Sequence, residues 1–250
     1  MKKWISILLL AAMLLSLSAC GASGKTDSAD KIKEAAEKAA EAAADASEPE
    51  AAPAEEEEAA EPEEEVAAEE MVGEKTASSY VNKGLGISAE VPDNWVVLDD
   101  EQTAQMMGLV ADNFSETGLA DQLRDSGSLC DLYALATDQS GDNVNIMIQD
   151  LGVIYGIVLD EDRYIDMNLG QLEPTLKQMG MTDITMEKET VSFAGSDHPA
   201  ILISANYNGV AVYERLVALK VGSYMSAITA FSMDKDRLDG ILGFFKAYEG

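Results

Sequence analysis

Cysteine and histidine are scarce in this sequence of 250 residues, which contains two cysteines and one histidine, His198. A zinc site or a serine–histidine relay would depend on His198 alone, so neither kind of site is predicted. Cys-x-x-Cys pairs, glycine-rich phosphate loops and basic patches with interleaved aromatic residues are also absent from the sequence. The motifs therefore predict no catalytic residue, no metal ligand and no cofactor.

Basic residues are few as well, because 17 lysines and arginines stand against 46 aspartates and glutamates, and the formal net charge is −29. A surface of this sign repels phosphate backbones and anionic lipid headgroups, so no nucleic-acid partner is predicted. The charge favours either a cationic partner or simple solubility.

The longest apolar run extends over residues 4–17 and follows Lys2 and Lys3. It is too short to cross a bilayer as a permanent helix, and a charged start with small residues at the exit is typical of a secretory signal. Residues 1–19 are therefore predicted to be a signal peptide that is removed from the mature protein.

The end of this segment resembles the lipobox of bacterial lipoproteins, with Leu17, Ser18, Ala19 and Cys20 at the recognised positions and a small Gly21 after them. The resemblance implies that Cys20 receives a diacylglycerol thioether, which anchors the chain to the extracytoplasmic face of the cell membrane. Buried acyl chains contribute about 0.8 kcal/mol per CH₂ group, so two or three chains hold a protein stably. The alternative is an ordinary cleaved signal that ends near a cysteine by coincidence.

If Cys20 carries lipid, Cys130 has no partner for an intramolecular disulfide. Cys130 lies in an apolar, strand-like run, so we interpret it as a buried, unreactive thiol.

Large apolar residues are nearly missing from residue 21 to about residue 79, where alanine and glutamate dominate. Such a segment cannot bury enough surface to offset its ordering entropy, so residues 20–79 are predicted to be the lipidated cysteine and a disordered stalk. A flexible coil of this length spans roughly 40 Å and would separate the anchor from the fold. An acidic tail that binds a partner is the alternative.

Residues 80–250 carry the patterns of one globular domain. Helices are predicted over about 100–112, 118–124 and 160–179, the last with Pro174 as a kink or a break and Gly180 as its end. Asn208-Gly209 predicts a two-residue hairpin, and Gly222-Ser223 a second turn. Asp234 is predicted to cap a final helix with Leu238, Ile241, Leu242 and Phe245 facing inward.

The segment from 143 to 149 alternates between apolar and polar residues, which indicates a strand with one packed and one solvated face. Val144, Ile146 and Ile148 form the predicted packed face, and Asn143, Asn145 and Gln149 the predicted solvated face.

These elements predict an α+β domain with an antiparallel sheet and helices packed on its faces. The opening from Tyr80 to Trp95, the turn at Phe193-Ala194-Gly195, the hairpin through Tyr213 and the C-terminal segment Leu242-Gly243-Phe244-Phe245 resemble PsbP-like domains. The resemblance implies an α/β/α sandwich that acts by docking to partners. It transfers no functional residue, because the matching positions are structural.

Three further patterns admit a chemical interpretation. Ser196-Asp197-His198 contains the residue types of a hydrolytic triad, but three consecutive side chains point in different directions, which favours a solvated turn. Acidic residues at 138–145 and at 160–166 could bind Ca²⁺, but they lack the spacing of a calcium loop and suit a turn and a helix N-terminus. The twelve methionines are interpreted as core residues and not as copper ligands or a binding groove.

The sequence therefore predicts a noncatalytic binding or assembly module of the cell envelope, with the membrane as one partner through Cys20 and an envelope protein as another. An envelope hydrolase or a metal-dependent enzyme using acidic residues is the alternative, and it requires a pocket with two convergent carboxylates. A small-ligand sensor with an apolar cavity is a third hypothesis.

Overall fold

Strands dominate the part of the chain that the computed structural model describes, namely residues 66–106 and 119–249. The short first strands are β1 (Glu74–Lys75), β2 (Ser79–Asn82), β3 (Ile87–Glu90) and β4 (Trp95–Val97). The longer strands are β5 (Ser128–Ala136), β6 (Asn143–Asp150), β7 (Met181–Phe193), β8 (Ser196–Tyr207), β9 (Val210–Val221) and β10 (Tyr224–Ser232), and a short β11 (Phe245–Ala247) follows. The helices are α1 (Asp100–Met106), α2 (Leu119–Ser126), α3 (Gly152–Val158), α4 (Glu161–Gln178) and α5 (Leu238–Leu242), with a 3₁₀ turn at Lys235–Arg237 before α5.

The strands form two antiparallel sheets. A large sheet has seven strands in the order β4-β5-β6-β10-β9-β8-β7, and a small sheet has four in the order β1-β2-β3-β11. Tight hairpins explain the order β7-β8-β9-β10: Ala194 and Gly195 have φ of 49° and 91°, and Asn208 and Gly209 have φ of 51° and 82°. Two consecutive positive φ angles match the right-handed twist of the flanking strands.

The large sheet buries both of its faces. One face and the inner face of the small sheet share a core with α2 and α5, to which Tyr80, Ile87, Ile146 and Phe245 belong. The opposite face packs against α4 through Ile165, Leu172, Leu176, Ile201, Leu216 and Phe231.

The predicted α+β class with antiparallel strands is confirmed, and a second sheet adds to it. The folded part also begins earlier than residue 80, which corrects the predicted end of the stalk. Met71 is completely buried, its carbonyl oxygen accepts a hydrogen bond from Asn82 Nδ2 at 2.7 Å, and β1 pairs with β2. An alanine- and glutamate-rich composition concealed these few packing residues.

The prediction that β6 has a solvated face is wrong for Asn143 and Asn145, whereas Gln149, near the end of the strand, is half-buried. Asn143 and Asn145 have relative exposures of 0% and 1%, about as low as those of the apolar Val144 and Ile146. Each face of β6 packs against other apolar residues: Val144 and Ile146 belong to the core shared with the small sheet, and Met147 on the other face packs against the apolar clusters on that side. Alternation indicates the two faces of a strand, but it cannot reveal that a second layer covers the polar one.

Helix α4 and the C-terminal segment differ from the prediction in detail. Residues 161–178 form one helix that continues through Pro174, and Gly180 ends it with φ of 87°. The final helix ends at Leu242, and Phe245 is buried in β11 instead of on a helix. The four residues predicted to face inward are all buried.

Cys130 is buried, as predicted, and burial raises the pKa of its thiol to about 12, followed in size by the effect of the Asp131 charge. A thiol with this pKa stays protonated at neutral pH and is a poor nucleophile.

Candidate functional site

Helix α3 directly follows β6, and hydrogen bonds hold the start of the helix in place. The backbone N–H of Gly152 donates to Asp150 Oδ1 at 2.8 Å, and the N–H of Leu151 donates to the carbonyl oxygen of Ser223 at 2.9 Å. Gly156 lies so close to the β9–β10 turn that a Cβ atom there would be 2.9 Å from Ser223 Cα. Glycine at position 156 therefore allows α3 to pack directly on this turn.

Helix α4 supplies the facing wall. Its N-terminus is capped by Asp160, whose Oδ1 accepts from the Arg163 N–H at 2.8 Å. While one stripe of α4 packs on the sheet, a second stripe at positions 164, 167, 168 and 171 faces α3. Spacings of three and four residues put these side chains on one face of the helix.

A cleft of about 340 Å³ lies between α3, α4 and the end of β6. This volume is at the lower end of the range of ligand sites. Its apolar and aromatic lining consists of Leu151, Tyr155, Leu159, Tyr164 and Met167. Its polar lining consists of Gln149, Asp150, Asn168 and Gln171.

The polar groups of the cleft are largely unused by the described part of the chain. Asn168 Nδ2 donates to the carbonyl oxygen of Tyr164 at 2.8 Å, whereas the side-chain amides of Gln149 and Gln171 have no hydrogen-bond partner among residues 66–106 and 119–249. Burial raises the pKa of Tyr164, so its hydroxyl stays neutral at physiological pH. The cleft thus offers donors and acceptors beside an apolar wall.

Exposed apolar side chains lie on the two helices that form this cleft, and two of them, Tyr155 and Met167, line it. Of the five large apolar residues that are exposed in the described part of the chain, Tyr155, Ile157, Val158 and Met167 belong to α3 and α4, and Ile157 has a relative exposure of 78%. The fifth, Val210, lies at the β8–β9 hairpin. We call the four residues on α3 and α4 the apolar rim.

The α3–α4 cleft was not predicted from the sequence. Its only sequence signal is the nine-residue segment from Leu151 to Leu159, which contains no charged side chain and whose one polar side-chain group is the Tyr155 hydroxyl. A run of that length is typical of a buried element. Met167, interpreted from the sequence as a core residue, is instead exposed beside this cleft.

The residues predicted to direct lipidation, Leu17, Ser18, Ala19 and Cys20, lie outside the residues that the structure describes. The predicted signal peptide and most of the predicted stalk lie outside them too. These parts remain predictions from the sequence.

Ser196, Asp197 and His198 do not form a relay. His198 lies in β8, and its Nδ1 is 3.1 Å from Oε2 of Glu161, whose Oε1 accepts the backbone N–H of Lys220 at 2.8 Å. This arrangement fastens the first turn of α4 to the sheet. His198 is thus a packing residue and not part of the predicted solvated turn.

The acidic residues considered as calcium ligands interact with groups of the protein. Lys188 Nζ lies 2.9 Å from Asp162 Oδ1 and 2.7 Å from Asp166 Oδ1. At the other cluster, Arg237 lies 2.6 Å from buried Asp142, which also accepts from the Ser232 hydroxyl at 2.8 Å. Within the described residues, no group of three or more histidine, cysteine or acidic side chains is arranged to hold a metal ion.

A second, wider cavity of about 940 Å³ lies over the small sheet, bordered by β11 and the β7–β8 turn. Its carboxylates are Glu90 and Glu249, whereas the α3–α4 cleft contains Asp150 alone. The carboxylate with a raised pKa, Glu214, borders neither cavity.

No protein-family model matches the sequence, and no curated protein matches it. A crystal structure from Bacteroides thetaiotaomicron is similar over 70% of this chain and 50% of that chain, with 11% identity and a TM-score of 0.39. LpqN of Mycobacterium tuberculosis, described as involved in cell envelope biogenesis, is similar over 70% of this chain and 87% of its own, with 12% identity and a TM-score of 0.37. The resemblance to PsbP-like domains is not shown by these findings and stays a prediction.

None of the helices in the described part of the chain has the length and apolar character needed to cross a bilayer.

Proposed function

We propose that the chain is a noncatalytic binding module of the cell envelope, held to the membrane by lipid on Cys20, and that it binds a partner protein through the α3–α4 cleft and the apolar rim. The observation that carries this proposal is that four of the five large apolar residues exposed in the described part of the chain belong to the two helices that form one cleft, and that two of them, Tyr155 and Met167, line it. Exposed apolar side chains scattered singly need no explanation, but a group of them beside a concave site is typical of an interaction surface.

The residue types support a protein partner. Tyrosine and methionine are enriched at the centre of protein interfaces, and burying one isoleucine or valine side chain contributes about 1.5–3 kcal/mol. Exposed Ile157 and Val158 therefore provide enough apolar surface for one anchoring contact. The acidic residues Asp160 and Asp162 at the start of α4 oppose docking on an anionic lipid surface.

Site-specific photocrosslinking in cells that produce the full chain tests the proposal. A photoreactive benzoylphenylalanine replaces Ile157 in one variant and Val210 in the other, since both positions are exposed and apolar. We expect a light-dependent adduct with a discrete envelope protein, identified by mass spectrometry, from position 157 and not from position 210. We also expect Met167→Glu in the first variant to reduce the adduct at least about tenfold, since a buried unpaired charge costs more than 1.4 kcal/mol.

Equal protein adducts from both positions, adducts with lipid alone from position 157, or no adduct at all would each contradict the proposal.

A further inference from the structure

Resting on the proposed function, we propose that the partner presents a cationic peptide segment, in which a lysine or arginine stands next to an apolar side chain and pairs with Asp150 in the α3–α4 cleft. The inference concerns which chemistry the cleft recognises.

Asp150 is the charged residue in the lining of the cleft, and no lysine, arginine or histidine accompanies it there. Its Oδ1 accepts from Gly152, whereas its Oδ2 has no hydrogen-bond partner in the described part of the chain. A carboxylate has about four acceptor positions, so most of them remain available. An anionic ligand would meet an uncompensated negative charge, while a cation would form a charge-assisted hydrogen bond.

Three side-chain amides complement a peptide backbone. Gln149, Asn168 and Gln171 each combine an N–H₂ donor with a carbonyl acceptor, the same pair of functions that every peptide group carries. The adjacent aromatic and thioether groups of Tyr155 and Met167 accommodate an apolar side chain. A peptide can contact the side-chain amides with its backbone and the apolar groups with a side chain, whereas a saccharide leaves the apolar rim unoccupied.

Acidic residues of α4 add to the negative charge of Asp150. Arg163 interacts with Asp160 across 3.6 Å and donates to the carbonyl oxygen of Val158, and Lys188 bridges Asp162 and Asp166. These basic residues are occupied by acidic neighbours. The whole chain carries a formal charge of −29, which steers cationic segments toward it.

Selection of peptides from a phage-displayed library of random twelve-residue peptides tests the inference, with the full lipidated chain in detergent micelles as the target. We expect the selected sequences to share a lysine or arginine within two positions of a large apolar residue. Fluorescence polarisation with a labelled selected peptide then measures its affinity for variants of the chain.

Two substitutions in the cleft should change the affinity in opposite directions. We expect Asp150→Asn to weaken binding about tenfold, while its Oδ1 still accepts from Gly152. We expect Gln171→Glu to strengthen binding, because it adds a second carboxylate. Asp197→Asn, an exposed substitution on β8, is the matched control and should leave the affinity unchanged.

Selected sequences that are acidic or share no motif would overturn the inference, as would equal binding to Asp150→Asn and to the unchanged protein. If position 157 crosslinks to a protein that lacks a basic segment, the proposed binding function is supported and the inference of a cationic partner is contradicted.

Discussion

Asp131 joins three parts of the fold through one buried side chain. It lies at the register shift of β5 between Cys130 and Leu132, where an extra residue enters the strand. Its carboxylate accepts from the Gly73 N–H at 3.0 Å, from the Tyr80 hydroxyl at 2.6 Å and from Asn82 Nδ2 at 2.9 Å. The bulge in the large sheet thereby holds the small sheet and the segment before it.

Replacing this carboxylate should therefore destabilise the whole domain. We expect Asp131→Ala to lower the free energy of unfolding by at least about 3 kcal/mol, because several buried donors lose a charged acceptor. Urea denaturation of the full chain measures the change, and Asp197→Ala at an exposed position is the control. A loss below about 1 kcal/mol would show that Asp131 is not the centre of this network.

Glu214 is the opposite case, a buried carboxyl group without a compensating partner in the described residues. It has a relative exposure of 4%, and its strand partners are Ile203 on β8 and Phe231 on β10. Burial raises its pKa from 4.5 to about 8. The group is therefore mostly protonated in the folded protein at neutral pH.

This shift predicts how stability depends on pH. Between about pH 4.5 and 8 the folded state binds one proton more than the unfolded state, so the free energy of unfolding falls as pH rises, by up to about 1.4 kcal/mol per pH unit. Glu214→Gln should remove this fall and make the protein more stable than the unchanged chain at pH 9. Urea denaturation at pH 5, 7 and 9 measures both effects, and parallel pH profiles for the two proteins would contradict the prediction.

At the scale of elements, close approach and not helix propensity decides how α3 is placed. A hydrophobic nine-residue segment follows β6 directly, and Gly152, with φ of 65°, turns it into a helix. Gly156 then brings the helix onto Ser223. The cost of leaving apolar residues of α3 exposed is offset by this anchoring on the β9–β10 turn.

Two glycine substitutions should separate the effect of helix propensity from the effect of close approach to the β9–β10 turn. Gly170→Ala in α4 meets no atom within 4 Å, so we expect it to stabilise the protein by about 0.5–1 kcal/mol through helix propensity. Gly156→Ala meets the Ser223 backbone at 2.9 Å, so we expect it to destabilise the domain and displace α3. Thermal unfolding and Tyr155 NMR shifts report the two outcomes, and the same sign for both variants would contradict the interpretation.

At the scale of the whole molecule, the proposed role depends on a lipid anchor in a segment outside the described residues. Cys20 is predicted to be acylated, whereas Cys130 is buried with a raised pKa. Cys130 can therefore serve as the control when lipidation of Cys20 is tested.

We expect mass spectrometry of the mature chain to find an N-terminal diacylglycerol thioether at Cys20, and globomycin to block maturation. Cys20→Ser should abolish the lipid, and Cys130→Ser should retain it because that thiol lies in the core. An unmodified Cys20, or maturation that is insensitive to globomycin, would remove the membrane anchor from the proposed function.

Much of the element order follows from local rules. Period-two alternation marks β6, spacings of three and four mark α4, and Asn208-Gly209 marks its hairpin, because each depends on residues close together in the chain. The α+β class could be predicted from these elements alone. The early start of the fold could not, because Met71 is recognisable as a core residue only once residues distant in the chain pack around it.

The sequence by itself determined which residues alternate, turn and cap, together with the prediction of a lipid anchor, since these are properties of short segments. The tertiary structure alone decided which faces are covered. Asn145 is buried because the layers packed on the large sheet cover it, while Ile157 is exposed because α3 turns Gly156 toward Ser223 and no other part of the described chain covers position 157. Burial is a property of what packs against a residue, and those neighbours are distant in the chain.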